Sequence, residues 1–234
     1  MRPRRSPLAA WLFALLLSVV VLAGCGSSTT GNGVASKTPA EIVAGAKILA
    51  DAASSVHVSG SLQSGGSPTS FNLYLLASKG GRGQLSAEGR SFEVIQIHGN
   101  VYIKGSPAFY SHIAGPSAAQ LLQGRWLQAP VGTGGLASIA SLTNLSKLVN
   151  TTLPAHGTLT KGAVTTVAGQ KVIGVTDTTA DGTLYVATTG PPYPVEITMG
   201  GAGGGSILFS GWNQPLSITK PPNPIDITQL QSGH

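Results

Sequence analysis

Few side chains in this chain have both the type and the spacing that chemistry needs. Cys25 is the single cysteine, so no disulfide can form within one chain. The five histidines are His57, His98, His112, His156 and His234, and no two stand at the short spacing of a metal-ligand pair. No Gly-x-Ser-x-Gly occurs, which removes the nucleophile elbow of a hydrolase. The 8 carboxylates are scattered. Asp177 and Asp181 flank Thr178-Thr179-Ala180, and their short side chains suit a turn better than acid–base work. Gly132-Thr133-Gly134-Gly135-Leu136-Ala137 matches a loose Gly-x-Gly-x-x-Ala. A dinucleotide site would need a strand just before it and an acid about 20 residues on. Ala129-Pro130 precedes it and Leu153 to His156 stands where the acid should be, so it reads as a hinge ahead of an apolar helix. Asn144-Leu145-Ser146 and Asn150-Thr151-Thr152 match glycosylation sequons by letter alone. No enzyme, cofactor or metal centre is expected.

That leaves Cys25. Arg2, Arg4 and Arg5 open the chain, and Leu8 to Ala23 is an apolar run of 16 residues broken only by Ser18. The run falls short of the ~20 residues that span a bilayer core. A basic start, a short apolar stretch and small residues before a cut describe an export signal. The Leu22-Ala23-Gly24-Cys25 ending resembles a bacterial lipobox. That resemblance implies cleavage before Cys25 and a diacylglyceryl thioether on its sulfur. Residues 1–24 are therefore expected to be a lipoprotein signal peptide. The product is expected to be exported and lipid-anchored to the outer face of the cell membrane.

Loss of residues 1–24 removes three arginines and no acid. What remains holds 11 Lys+Arg against 8 Asp+Glu, a formal charge of +3. That is too little and too dispersed for a nucleic-acid footprint, so no nucleic-acid partner is expected. Roughly 200 residues suffice for one core. Only 9% of the chain is charged, so Ser, Thr, Gly and Asn must supply much of the polar surface.

The elements that would position any site follow from pattern. Residues 25–37 are Gly/Ser/Thr-rich and read as a flexible tether, its 12 residues after Cys25 giving an rms reach of roughly 20 Å. Residues 38–234 read as one domain. Thr38, Pro39 and Glu41 form the start of a capped helix, with Ile42, Ala46, Leu49 and Ala53 on one face. Val56, Val58 and Leu62 alternate with polar residues, which predicts a strand. Strands are expected near 70–78, 84–87, 91–98 and 101–104, joined by tight turns in an antiparallel meander. A short helix is expected over Ala118 to Gln123. Leu136, Ile139, Leu142, Leu145 and Leu148 recur every third residue and predict an amphipathic helix from Leu136 to Val149. Further strands are expected near 164–167, 171–176, 183–188, 194–199, 206–212 and 216–219. A tail from Ile225 to Leu230 should dock.

This order of helix, meander, central helices and second meander resembles the LppX/LprG class of actinobacterial lipoproteins, within the LolA/LolB-like group. The resemblance rests on the lipobox and tether, Ala52 to Gly60, Asn100 to Lys104, Arg125-Trp126, Gly182 to Val186, Pro191 to Val195, and Phe209 to Trp212 with Pro221-Pro222. It implies an α+β fold: a curved antiparallel sheet, an unclosed half-barrel, with helices packed on its concave face. Members with a roomy space between sheet and helices bind lipids there. The chain departs from the class in its few large side chains, 5 Phe and 5 Tyr in all.

Candidate cavity-lining residues are the inward members of each strand: Leu73, Leu75, Val94, Val101, Ile103, Leu184, Val186, Ile197 and Phe209. Ile139, Leu142 and Leu145 join them from the amphipathic helix. Period-two alternation alone also allows the opposite phase in several of these strands. Trp126 is expected in the core or at a cavity mouth, its indole N–H toward a headgroup. The expected partners are membrane lipids, held covalently at Cys25 and non-covalently in the domain, and an envelope or transporter protein. A monomer is expected. The alternative is a lipoprotein with a filled core that recruits an envelope partner. For the anchor, Cys25→Ala should give an unacylated product that leaves the detergent-rich phase on phase separation. Unchanged partitioning would contradict the assignment.

Overall fold

The computed structural model describes residues 31–77, 80–133, 145, 148 and 157–228. Its first α-helix, α1 (Pro39–Asp51), begins where the sequence says it must. The Thr38 hydroxyl accepts from the Glu41 N–H at 3.4 Å, and the Glu41 carboxylate accepts from the Thr38 N–H at 2.9 Å. Both halves of a capping box are present, and Pro39 supplies no N–H that would need a partner. Hydrogen bonds from Thr38 hold the Glu41 carboxyl below its ordinary pKa.

Among the described residues, twelve strands then form one sheet. They are β1 (Ser55–Ser64), β2 (Ser67–Leu76), β3 (Gly80–Ala87), β4 (Arg90–Ile97), β5 (Asn100–Gly105), β6 (Leu127–Pro130), β7 (Leu159–Val167), β8 (Gln170–Asp177), β9 (Gly182–Ala187), β10 (Pro194–Met199), β11 (Gly205–Ser210) and β12 (Ile225–Asp226). Their spatial order is β12-β6-β5-β4-β3-β2-β1-β11-β10-β9-β8-β7. Each pairing is antiparallel except β12 with β6. Strands β12 and β7 are edges, so the sheet is not closed. Two meanders, β1 to β6 and β7 to β11, meet where β1 pairs β11. The fold class expected from the resemblance is the one observed.

The second helix, α2 (Pro107–Leu122), joins β5 to β6 and was expected only over its last turn or so. Ser106 caps it by accepting from the Phe109 N–H at 3.2 Å. Gly115, at φ 84°, kinks it ahead of Pro116. Tyr110 ties it to the sheet: its buried hydroxyl accepts from the Gly105 N–H and donates to the Arg125 carbonyl, both at 2.9 Å. Burial raises the pKa of this phenol. Gly105 is required here, because a Cβ would stand 2.3 Å from the Phe109 ring.

Three further differences concern connections. Residues 216–219, expected as a strand, form no ladder. Pro215 and Pro221-Pro222 bracket them, and proline cannot donate to a ladder. They belong instead to a strap that leaves β11 and crosses to β12. Ile218 is buried in it, Lys220 lies over the Tyr102 ring, and the Gln214 carbonyl accepts from the Ser55 hydroxyl at 2.6 Å. The strand β6 was not expected. Finally, the chain that precedes α1 is docked as far back as Asn32, so the stretch read as a tether up to Lys37 is folded over its last part. Its backbone N–H donates to the Thr188 carbonyl at 2.8 Å, and its amide donates to Ala187 and Gly190 carbonyls at 2.9 and 2.8 Å. A 3₁₀ turn, Val34–Ser36, follows with Val34 buried. Lys161 donates to the carbonyls of Ala35 and Lys37.

Replacing Tyr110 by Phe keeps the ring and removes both hydrogen bonds. The Gly105 N–H and Arg125 carbonyl would be left without that partner, at a cost of about 1–3 kcal/mol. Urea denaturation of Tyr110→Phe should show this loss. An unchanged midpoint would mean that the hydroxyl does not hold α2 to the sheet.

Candidate functional site

Strand register decides which side chains meet. Phe209, Val58, Leu73, Gly83, Val94 and Ile103 lie on one cross-strand row that runs over β11, β1, β2, β3, β4 and β5. Alongside it, Val56, Leu75, Gly81, Gln96, Val101 and Ala129 form a second row. Across the other meander, Ile207, Ile197, Leu184 and Val175 continue the same face. Val186 opposes Ile173 beside them. Gly83 leaves room on the first row: a Cβ there would sit 2.8 Å from the Leu73 side chain.

Helices cover this inner face. Ile42, Val43, Ala46 and Ala50 of α1 are buried in the same cluster, and α1 lies against β7 to β10. Phe109 of α2 packs on Phe92 of β4 with ring centroids 4.9 Å apart. Leu145 is helical, 1% exposed and part of the cluster, and Leu148 packs against it. The structure therefore brings Leu73, Leu75, Val94, Val101, Ile103, Leu145, Leu184, Val186, Ile197 and Phe209 together in one apolar interior. Ile139 and Leu142 lie outside the described residues.

Trp126 stands apart. It neighbours Lys104, whose ammonium lies 5.1 Å from the ring centroid. Lys104 points away from the inner face, being paired directly with Glu93 across β4 and β5 and bridged to it at 2.7 Å. Trp126 is thus on the outer face, a consequence of strand parity, and not in the interior. It borders a shallow groove of about 280 Å³ with Tyr74, Arg82 and Gln84. His57 is on the same outer face. Its ring nitrogens meet the Ser210 hydroxyl at 2.9 Å and the Asn72 carbonyl oxygen at 2.8 Å, and it stacks on Tyr74. These bonds occupy both nitrogens.

Among the described residues, no three His, Cys, Asp or Glu side chains gather as a metal site. The buried polar side chains among them are Ser55 and Thr188, both hydrogen-bonded. No described buried side-chain polar atom lacks a partner. A cavity of about 640 Å³ opens between the strap and the ends of β2 and β4, lined by Leu76, Ile97, His98, Leu216 and Ile218. Sequence reading missed it because the strap had been assigned to the sheet. The Leu216-Ser217-Ile218 alternation between prolines was the available signal.

An open sheet whose extended apolar face is wrapped on helices defines a fold class. The chain is similar in structure to LprF from Mycobacterium bovis, with a TM-score of 0.54 at 14% identity over 80% of this chain and 97% of that one. It is similar to the lipoprotein LppX of Mycobacterium tuberculosis, with a TM-score of 0.53 at 15% identity over 78% of this chain and 100% of that one. No protein-family model and no curated protein sequence matches it. At this identity the likeness is one of fold, and the fold is of the LppX/LprG type.

The two faces predict opposite mutational behaviour. Phe209→Ala removes a ring from the interior and should cost about 3–5 kcal/mol. Trp126→Ala loses an outer-face cation–π contact, worth about 0.5–1 kcal/mol when exposed. Thermal denaturation of the two variants side by side checks this order. Equal losses would contradict the assignment of Trp126 to the outer face.

Proposed function

We propose that this protein is an exported lipoprotein, anchored through Cys25 to the outer face of the cell membrane. It binds a lipid or glycolipid against the apolar inner face of its sheet and carries it within the envelope. No covalent step on the ligand is involved. The observation that supports this most is the continuity of the apolar surface over both meanders, with buried polar groups confined to its margin among the described residues. Shared fold with two mycobacterial lipoproteins supports the class. An acyl chain of ~15 methylenes leaves water at a gain of about 0.8 kcal/mol per group. A carrier must offer equivalent apolar cover, and a wrapped sheet does so by shape alone. The carrier is a monomer, and its counterpart at delivery is an envelope or transporter protein.

A second reading has an observation of its own. The ten candidate lining residues gathered in the interior, Leu145 among them, are at or below 8% exposure. That degree of packing favours a filled core and a lipoprotein that acts by recruiting an envelope partner.

Leu145 separates the two. In a filled core, Leu145→Trp overpacks and should lower stability by about 1–3 kcal/mol. Against an acyl chain, the indole takes the ligand's place. Stability is then retained and uptake of a pyrene-labelled glycerophospholipid falls. Thermal melts beside the pyrene titration give the answer. A destabilised variant together with no pyrene uptake by the parent protein would overturn the carrier reading.

A further inference from the structure

We infer that the domain sits on the membrane in a fixed orientation. The end of the sheet formed by the β7–β8 turn, the β9–β10 loop and the start of the strap faces anionic lipid headgroups. The inference rests on the reading of Cys25 as the anchor. It goes beyond that reading in naming the surface and the lipid charge.

Reach sets the near end. Asn32 is pinned by three hydrogen bonds to Ala187, Thr188 and Gly190, at the β9–β10 loop. Six Cα–Cα steps separate Cys25 from Gly31. At 3.3–3.6 Å per residue they cannot extend beyond about 22 Å. The 8 residues of β8 span about 25 Å from one end of the sheet to the other. An anchored Cys25 therefore holds the end at Gly190 near the lipid and leaves the opposite end a strand's length further out. Had all of residues 25–37 been free, no such preference would follow.

Charge favours the same end. At the near end, residues 98–99, 131–133, 168–171, 188–193 and 211–217 carry Lys171 and no carboxylate. The remaining carboxylate there is Asp51 at the end of α1, bridged to Lys47 at 2.6 Å. At the far end, Asp177 closes β8 and Asp181 sits in the β8–β9 turn. Glu88 is bridged to Arg90 at the β3–β4 turn and Arg125 precedes β6, so the excess of carboxylate is at the β8–β9 turn. An anionic surface attracts juxtamembrane bases and repels the carboxylate-bearing end. The near end also presents side chains that suit a headgroup layer. Tyr193 stacks on Trp212 at 4.8 Å, the Trp212 indole donates to the Pro194 carbonyl, and Val131 is 42% exposed. Tryptophan and tyrosine favour that depth. The strap cavity at Leu76, Ile97 and Leu216 opens on this same end.

The test uses the full acylated protein in vesicles of phosphatidylglycerol and phosphatidylcholine that contain a headgroup-nitroxide lipid. A fluorophore is placed at Gln170→Cys, near end, or at Ala180→Cys, far end, both exposed positions. The label at 170 should be quenched severalfold more than the label at 180. Asn32→Ala should loosen the hold on the β9–β10 loop and shrink that difference while the melting curve changes little. Lys171→Glu should reduce quenching at 170 on phosphatidylglycerol vesicles and not on pure phosphatidylcholine. Equal quenching at 170 and 180, or stronger quenching at 180, overturns the orientation. An intact mass without the diacylglyceryl group, with Cys25 itself taking the label, overturns the anchor on which it rests.

Discussion

Among the described residues a sheet of twelve strands has one extended apolar face, apart from a small cluster of Val172, Ala187 and Val195 on the other, and that extended face has to be covered. This constraint governs the rest of the molecule. Because β12 and β7 do not pair with each other, the sheet does not close on itself as a barrel would. It can hide Val58, Leu73, Val94, Ile197 and Phe209 only by curling around other parts of the chain. Those parts are α1 against β7 to β10, the helical residues Leu145 and Leu148, and the start of α2 against β4 and β5. Fully burying each such aliphatic side chain contributes about 1.5–3 kcal/mol. Burial of the inner face must therefore be the main stabilising term in a chain with no internal disulfide.

Helices α1 and α2 cover the face as separate pieces, and neither takes part in the strand ladder. Glycines on the inner face, such as Gly60 and Gly83, keep the sheet thin where neighbouring backbones and side chains come close. The outer face is different in kind. It carries Tyr74 between His57 and Arg82, the Glu93–Lys104 ion pair and Trp126, and the strap covers one end of it. Polar networks there fix the strands in register while leaving the interior free of charge.

Much of this was legible in the sequence, and the reason is local chemistry. Thr38, Pro39 and Glu41 specify a helix start by themselves. Glycine pairs and Gly-polar steps at 65–66, 99–100 and 169–170 marked the hairpins that are observed. Alternation left the phase open in several strands, and the structure puts Leu73, Leu75, Val94, Val101, Ile103, Leu184, Val186, Ile197 and Phe209 on the inner face. What could not be read were features set at long range. Docking of Asn32 depends on carbonyls more than 150 residues away and leaves no hydrophobic pattern. The helix α2 was obscured by Gly115-Pro116, although Ser106-Pro107 repeats the Thr38-Pro39 signal in the sequence. Trp126 was judged by residue type, whereas its pairing beside Lys104 decides its face. Residues 216–219 alternate like a strand yet find no ladder, because prolines bracket them.

The wrapped apolar face is proposed as an interior for acyl chains. Native mass spectrometry of the protein, extracted from envelopes and purified without added lipid, tests this proposal most directly. The expected result is a population carrying one non-covalent lipid beyond the mass of the acylated chain, released as the collision energy rises. A single species at the mass of the acylated chain under gentle conditions, unchanged after incubation with envelope lipid extract, would contradict it.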